Sequence, residues 1–373
     1  MIYLDNASTT HKKPKEVINA VKRGLKELSV NSSRGGYDLA VKGAMEVLNT
    51  RETISKHFNC KTDNVIFTSG CTHAINLALR GTIRPNGHII STTMEHNSVL
   101  RTLQDLKEKY NINFTLIEPT NGTVNPKDIE NAITEKTYLI CTIHTSNVTG
   151  ATNDISNIGK ICKKHNIIYL VDGAQSCGHI RIDMKKQNIN LLAMAGHKGF
   201  YAPQGIGVLL TNNITISPLI TGGTGTHSES IIQPKSSPEG LESGTQSIPC
   251  ILGLQAGIKY VERKFDKINS KINKLTTYLY NYLKNNLKIK LYSFNPSSGV
   301  MSFNIVGYSS SDVGDYLSSN YDICVRTGLH CAPLIHQTND TLSSGMVRVS
   351  ISSFNNLREI KKLINAIENF SNS

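Results

Sequence analysis

Between residues 64 and 211 short apolar runs alternate with amphipathic ones, and this alternation restricts the fold more than any other feature of the chain. NVIFTSG (64–70), GHIISTT (87–93), INFTLIEP (112–119), TYLICTIH (137–144) and IIYLVDG (167–173) read as strands. THAINLALRG (72–81), QDLKEKYN (104–111), NPKDIENAI (125–133) and ISNIGKICKKHN (155–166) carry apolar residues at helical spacing or helix-start signals. NLLAMAGHKGF (190–200) and GIGVLLT (205–211) add two more short strands. Strands that alternate with helices imply an α/β fold, a mostly parallel sheet covered on both faces. Ligands of such sheets bind beyond the carboxyl ends of the strands. Polar turns fall there: TSGCTH, MEHNS, HTSNVTG, VDGAQ and AGHKG. Any one of them reads as a solvated loop; five at five strand ends read as one assembled site.

Residues 217–249 are rich in Gly, Ser, Thr and Pro and read as a long irregular segment, functional or mobile. A long helical stretch (about 251–287) follows, then a tail that mixes strands and helices: GVMSFNIVG, SSDVGDYLSS, GMVRVSIS and NLREIKKLINAIENF. The change places a boundary near residue 250, and 373 residues suit one large and one small domain.

Net charge is +12. The lysines are scattered along helical stretches such as ERKFDKINSKINKL (262–275) without interleaved aromatics, so they read as solvated faces rather than a nucleic-acid surface. No apolar run approaches membrane-spanning length, and MIYLDNASTT lacks the basic and apolar regions of a signal peptide. The eight cysteines (60, 71, 141, 162, 177, 250, 324 and 331) form no C-x-x-C pair and no metal-ligand spacing. Reduced thiols in a cytoplasm are the expectation, with no metal and no membrane partner.

Asp172 ends an apolar strand, where a carboxylate is costly unless it meets a cation or a donor. Lys198 lies among small residues behind another apolar run; desolvation lowers a lysine's pKa, and its neutral amine can then attack a carbonyl. The two together suggest pyridoxal 5'-phosphate (PLP), whose aldehyde takes a lysine as a Schiff base and whose pyridinium takes a carboxylate. The turn before residue 72 offers a helix start, Cys71 and Thr72, for the phosphate. His96 could stack on the pyridine ring. In VRTGLHCAP (325–333), Cys331 follows a histidine and is boxed by Arg326, Gly328 and Pro333, neighbours that suit a reactive thiol better than a packing one.

These motifs, with YLDNASTT (3–10), SRGGYDLA (33–40), PQGIG, SGT and MVRVSI in order, resemble the class V aminotransferase family of fold-type I PLP enzymes over nearly the whole chain, and within it the cysteine desulfurases. The R-T-G-x-H-C-A pattern is similar to the group with a short cysteine loop, which includes selenocysteine lyases. The resemblance implies a large domain (15–250) with a seven-stranded sheet and a small α+β domain (251–373, joined by 1–14) that carries the cysteine loop. It implies that Lys198 holds PLP, Asp172 pairs with the ring nitrogen, Gln175 contacts the ring's phenolic oxygen and His96 stacks on the ring. Cys71, Thr72 and His197 would hold the phosphate, and Thr245 would reach that of a neighbouring subunit, making a homodimer with a shared site. Asn147 would contact cofactor or substrate, Arg348 would bind the substrate carboxylate and Arg326 would orient the cysteine loop.

The implied reaction takes L-cysteine or L-selenocysteine to alanine. Cys331, favoured as thiolate by His330 and Arg326, accepts the sulfur as a persulfide for an acceptor protein, with iron–sulfur cluster assembly one destination. Other class V chemistry (epimerase, lyase or aminotransferase) and a non-catalytic sulfur carrier are the alternatives. Three positions depart from the family pattern: Ala195 stands for a hydroxyl residue, Cys71 for a threonine and Leu329 for a second loop histidine. A lost charge-assisted hydrogen bond to the phosphate costs roughly 1.5–3 kcal/mol.

Overall fold

Strand and helix alternate as the sequence predicts. The computed structural model describes residues 1–32, 35–294 and 298–372; Ser33 and Arg34 of the SRGGYDLA run lie outside the described residues. The chain opens with β1 (Ile2–Tyr3), α1 (Lys15–Glu27) and α2 (Asp38–Phe58). It continues through β2 (Val65–Thr68), α3 (Cys71–Gly81), β3 (His88–Thr92), α4 (Asn97–Tyr110), β4 (Asn113–Ile117), α5 (Pro126–Asn131), β5 (Thr137–Ile143), α6 (Ile155–Lys164) and β6 (Ile168–Asp172). Next come β7 (Leu191–Ala195), β8 (Gly207–Thr211) and the long α7 (Ile248–Asn285). The remainder is β9 (Ile289–Leu291), β10 (Val300–Ile305), α8 (Ser310–Tyr321), β11 (Ile323–Cys324), α9 (Pro333–Thr338), β12 (Val347–Ser350) and α10 (Leu357–Asn372).

The central sheet has seven strands in the order β2-β8-β7-β6-β5-β3-β4. All pairs are parallel except those of β8, which runs antiparallel to β2 and β7. Successive strand residues face opposite sides, so the two faces draw on alternate positions. Tyr169, Val171, Leu192 and Met194 join a core with α2, α6 and the first half of α7. Leu170, Leu191 and Ala193 join a second core with α3 and α4. Burial on both faces explains why these strands read as continuous apolar runs rather than alternating ones. Cys141, Cys162 and Cys177 are buried in these cores as packing residues.

A third core unites β1, β10, β12, α8, α10 and the second half of α7. Here β12, β10 and β9 form an antiparallel sheet, and β1 pairs in parallel with β11, which brings the first residues of the chain to the C-terminal elements. The irregular segment is tied to the large domain at several points, Ser217 N–H on the Gly81 carbonyl at 2.9 Å and Ser237 Oγ on the Asp63 carbonyl at 2.7 Å among them. Glu242 and Arg51, both nearly buried, form an ion pair at 2.5 Å.

The structure extends one element beyond its sequence signal. The sequence starts a helix near residue 104, yet α4 begins at Asn97. His96 caps it through Nδ1, which accepts the Ser98 N–H at 3.0 Å, a capping role usually taken by Ser, Thr, Asp or Asn. Among the described residues no helix is long and apolar enough to cross a membrane.

Candidate active site

The carboxyl ends of β2, β3, β5, β6 and β7 open onto one cavity of about 360 Å³. It is lined by Cys71, Thr72, His96, Asn147, Asp172, Gln175, His197, Lys198, Arg326 and Arg348. Ten sequence-predicted site residues, spread over nearly 280 positions, thus meet. A larger open groove of about 1050 Å³ between the ends of α7 and α10 is lined mainly by Tyr, Asn and Leu side chains and contains none of them.

Asp172, the last residue of β6, is 2% exposed. Its Oδ1 accepts the Ala174 N–H at 2.9 Å and the Cys71 thiol at 3.6 Å. Burial, reinforced by that carboxylate, pushes the Cys71 thiol well above its usual range, so Cys71 serves as a neutral donor. Burial also pulls the Lys198 ammonium below its ordinary value, while Cys71 and Asp172 work against the change. A desolvated amine of this kind is a nucleophile toward carbonyl carbon.

At one end of the cavity Ser69, Gly70, Cys71 and Thr72 enter α3, an eleven-residue helix whose first N–H groups and dipole favour an anion. A Cβ on Gly207 would lie 2.5 Å from the Gly70 carbonyl carbon, so only glycine lets β8 support this turn so closely. His197 lies at the same cavity; its Nδ1 is buried without a partner, and burial, then Lys198 and Lys13, hold the ring down at about 4, hence neutral. Its carbonyl accepts the Thr10 hydroxyl at 3.0 Å, which ties the N-terminal segment to the site. Ala195 lines the cavity and brings no hydroxyl.

Arg348 on β12 is 1% exposed. Its Nη1 donates to the Asn147 carbonyl at 3.0 Å and its Nη2 to Asp5 Oδ1 at 2.7 Å, while Nε is buried without a partner. Asn147 Nδ2 donates to the His330 carbonyl at 2.8 Å, and Asn147 Oδ1 is likewise partnerless. Gln175 Nε2 donates to the Ala7 carbonyl at 3.0 Å.

Cys331 stands on the rim, one residue past His330, and is exposed. Gly328, His330 and Cys331 all have positive φ (95°, 52° and 58°), so the loop turns sharply around the thiol. Arg326 Nη2 donates to Cys331 Sγ at 3.5 Å. The expectation that His330 also favours the thiolate is corrected here. Burial, and the Arg348 charge after it, depress His330 to about 2, so its ring carries no charge at neutral pH. Instead His330 Nδ1 meets His336 Nε2 at 3.3 Å and braces the loop against α9. Thr245 lies outside the cavity, in a neighbouring groove that shares Ser69 and His73 with it.

Three site neighbours carry no role in the sequence reading. Asp5 and Ser8 hold Arg348, and their only signal is their place in YLDNASTT. Glu95, before His96, is fully buried; its Oε1 accepts from Thr92 Oγ1 at 2.6 Å and Ile143 N at 2.9 Å, and Oε2 has no partner. Burial raises its carboxyl from 4.5 to about 8, against the pull of both hydrogen bonds. The folded chain keeps a proton that the unfolded chain releases, so this contribution to stability is full below 4.5 and is lost as pH rises to about 8. Glu95→Gln removes that loss: urea midpoints at pH 5 and pH 8 draw together in the variant, and an unchanged difference would refute a protonated Glu95.

Comparison with known proteins agrees with this geometry. A protein of Pyrococcus abyssi named "Probable cysteine desulfurase" is 32% identical over 388 aligned residues, which cover 99% of this chain and 94% of that protein. "Cysteine desulfurase IscS" of Clostridium botulinum is 34% identical over 280 residues, 74% of this chain and 66% of that one. The solved apo structure of a cysteine desulfurase from Thermococcus onnurineus superposes with a TM-score of 0.92 at 30% identity, covering 100% of this chain and 94% of that one. The family model described as aminotransferase class-V matches residues 2–363, and the chain belongs to that family.

Proposed function

We propose that this protein is a PLP-dependent cysteine desulfurase that converts L-cysteine to L-alanine and leaves the sulfur on Cys331 as a persulfide. The observation that carries the reading is the exposed Cys331 thiol, held 3.5 Å from a guanidinium on the rim of a cavity containing Lys198 and Asp172. Packing alone would place neither a cation nor a cavity beside a cysteine.

The residues present fit the cofactor. The start of α3 and the partnerless His197 Nδ1 suit its phosphate, Asp172 suits a protonated ring nitrogen, and the desolvated Lys198 amine suits its aldehyde. His96 and Gln175 line the same cavity and suit the ring face and the phenolic oxygen. Cys71 replaces a hydroxyl at the phosphate turn, leaving its backbone N–H and Thr72 as donors there. When bound, the cofactor supplies a sink for electrons released at the substrate's Cα.

Arg348 Nε and Asn147 Oδ1, both buried and partnerless, are free to take the substrate's carboxylate and a polar hydrogen. Lys198, whose ammonium is disfavoured by burial, moves the proton at Cα. The Cys331 thiolate attacks the substrate sulfur; the new S–S bond forms as the Cβ–S bond breaks, and that electron pair stays with carbon until Cβ is protonated. Alanine leaves, and Cys331 holds the sulfane sulfur at the surface, where an acceptor protein can reach it.

For the division into 15–250 and 251–373 with 1–14, support comes from the core that gathers Ile2 and Leu4 with residues from Leu275 to Phe370; α7 up to Ile272, and Tyr292, Ala332, Ile335 and Met346, pack instead with the large domain. A homodimer completed by Thr245, delivery of sulfur to iron–sulfur assembly and a cytoplasmic location belong to the same proposal.

The direct test incubates protein, PLP, L-cysteine and a reductant and measures sulfide and alanine together. Equal amounts support the reading. A PLP-loaded protein that yields neither overturns it, and yield from selenocysteine alone would move the assignment to a lyase for that substrate. Arg348→Lys keeps the charge opposite Asp5 but loses the fork and Nε, so KM for cysteine rises about tenfold with PLP content unchanged. An unaltered KM would remove Arg348 from carboxylate binding.

A further inference from the structure

A serine hydroxyl has one proton to donate and two lone pairs to accept. Ser8 uses all three. It donates to Asp5 Oδ1 at 2.8 Å and accepts from Arg326 Nη1 at 3.0 Å and Arg348 Nη2 at 2.8 Å. The two guanidinium groups converge because their backbones pair: Arg326 N–H reaches the Arg348 carbonyl at 3.1 Å and Arg348 N–H the Arg326 carbonyl at 2.7 Å. Neighbouring like charges repel, and Asp5 is the carboxylate bonded into this cluster. One net positive charge therefore remains beside Cys331, and its position needs an anchor.

We propose that Ser8 is a positioning residue that holds Arg326 against the Cys331 thiol and couples that arginine to Arg348. The two arginines depend on it unequally. Without the hydroxyl, Arg348 keeps Asp5 and the Asn147 carbonyl. Among the described residues Arg326 keeps only Cys331 as a side-chain hydrogen-bond partner. Losing Ser8 thus frees Arg326 and barely moves Arg348. The kinetic consequence rests on the desulfurase reading; the consequence for thiol reactivity does not.

The experiment compares wild type, Ser8→Ala and Ser8→Thr in the PLP-loaded protein. Iodoacetamide labelling at Cys331, followed on its peptide by mass spectrometry, reads the thiol directly. Ser8→Ala labels about three- to tenfold more slowly at fixed pH, because the cation that favours the thiolate is no longer held. Ser8→Thr, which restores the hydroxyl, labels at close to the wild-type rate. With L-cysteine, kcat falls in Ser8→Ala by a similar factor while KM changes less than twofold. Equal labelling in all three proteins overturns the proposal. So does slow labelling in both variants, which would mean that side-chain size rather than the hydroxyl matters. Should the protein release no sulfide yet show the labelling pattern, the desulfurase reading fails and the role of Ser8 stands.

Discussion

Cys331→Ser ends sulfide release while PLP stays bound. The thiolate is the group that can take sulfur; a serine hydroxyl at the same place is both less ionised and unable to form an S–S bond. The exchange is nearly isosteric and falls on an exposed rim residue outside the cavity lining, so cofactor binding has no reason to change. Among the described residues no other thiol takes a hydrogen bond from a guanidinium as Cys331 does; Cys250 donates to the Gln204 carbonyl at 3.8 Å, and burial raises Cys324. Burial holds Cys71, Cys141, Cys162 and Cys177 far above their usual range and raises Cys60 to about 12. Sulfide formation therefore drops by roughly three orders of magnitude or more. The measurement is sulfide and alanine from variant and wild type at equal PLP content. Residual sulfide near a tenth of wild type would place the acceptor thiol elsewhere.

Lys198→Ala removes the covalent hold on the cofactor and, with it, turnover. Among the described residues two lysines, Lys13 and Lys198, have their ammonium clearly destabilised by burial. Lys198 lines the cavity beside Asp172, whereas Lys13, pulled down to about 8, spends its Nζ on Thr10 Oγ1 at 2.7 Å outside that lining. Burial lowers both, so that shift alone does not separate them; geometry does. Borohydride reduction of the PLP-loaded wild type fixes the cofactor on the Lys198 peptide, and the variant shows no label there and no visible band. Label on the Lys13 peptide in either protein would move the site to the N-terminal segment. Turnover falls with the band, by about a thousandfold or more, since the same amine moves the proton at Cα.

Much of the site was readable because its parts are local. A carboxylate after IIYLV, a lysine after LLAMAGH and a glycine turn entering THAINLALRG each carry a strand-end signature within ten residues. The same locality explains the failures. The partner of α1 and α2 is legible in neither: both pack on α7, some 200 residues away, and what a helix packs against is not written in its own period. His330 looked like a cation beside the thiol because sequence neighbourhood says nothing of burial; the fold encloses the ring and denies it charge.

From its sequence alone this protein determined which segments become strands and helices and which residues stand at the strand ends. Hydrophobic periodicity and turn chemistry act over a few residues, and both are legible there. Tertiary structure alone decided the strand order β2-β8-β7-β6-β5-β3-β4, the pairing of β1 with β11, and the meeting of Asp5, Ser8, Arg326 and Arg348 at one hydroxyl. The last two bring the first residues of the chain to partners more than 300 positions away, and the burial that shifts His330, Glu95 and Lys198 exists only after the sheets have closed over them.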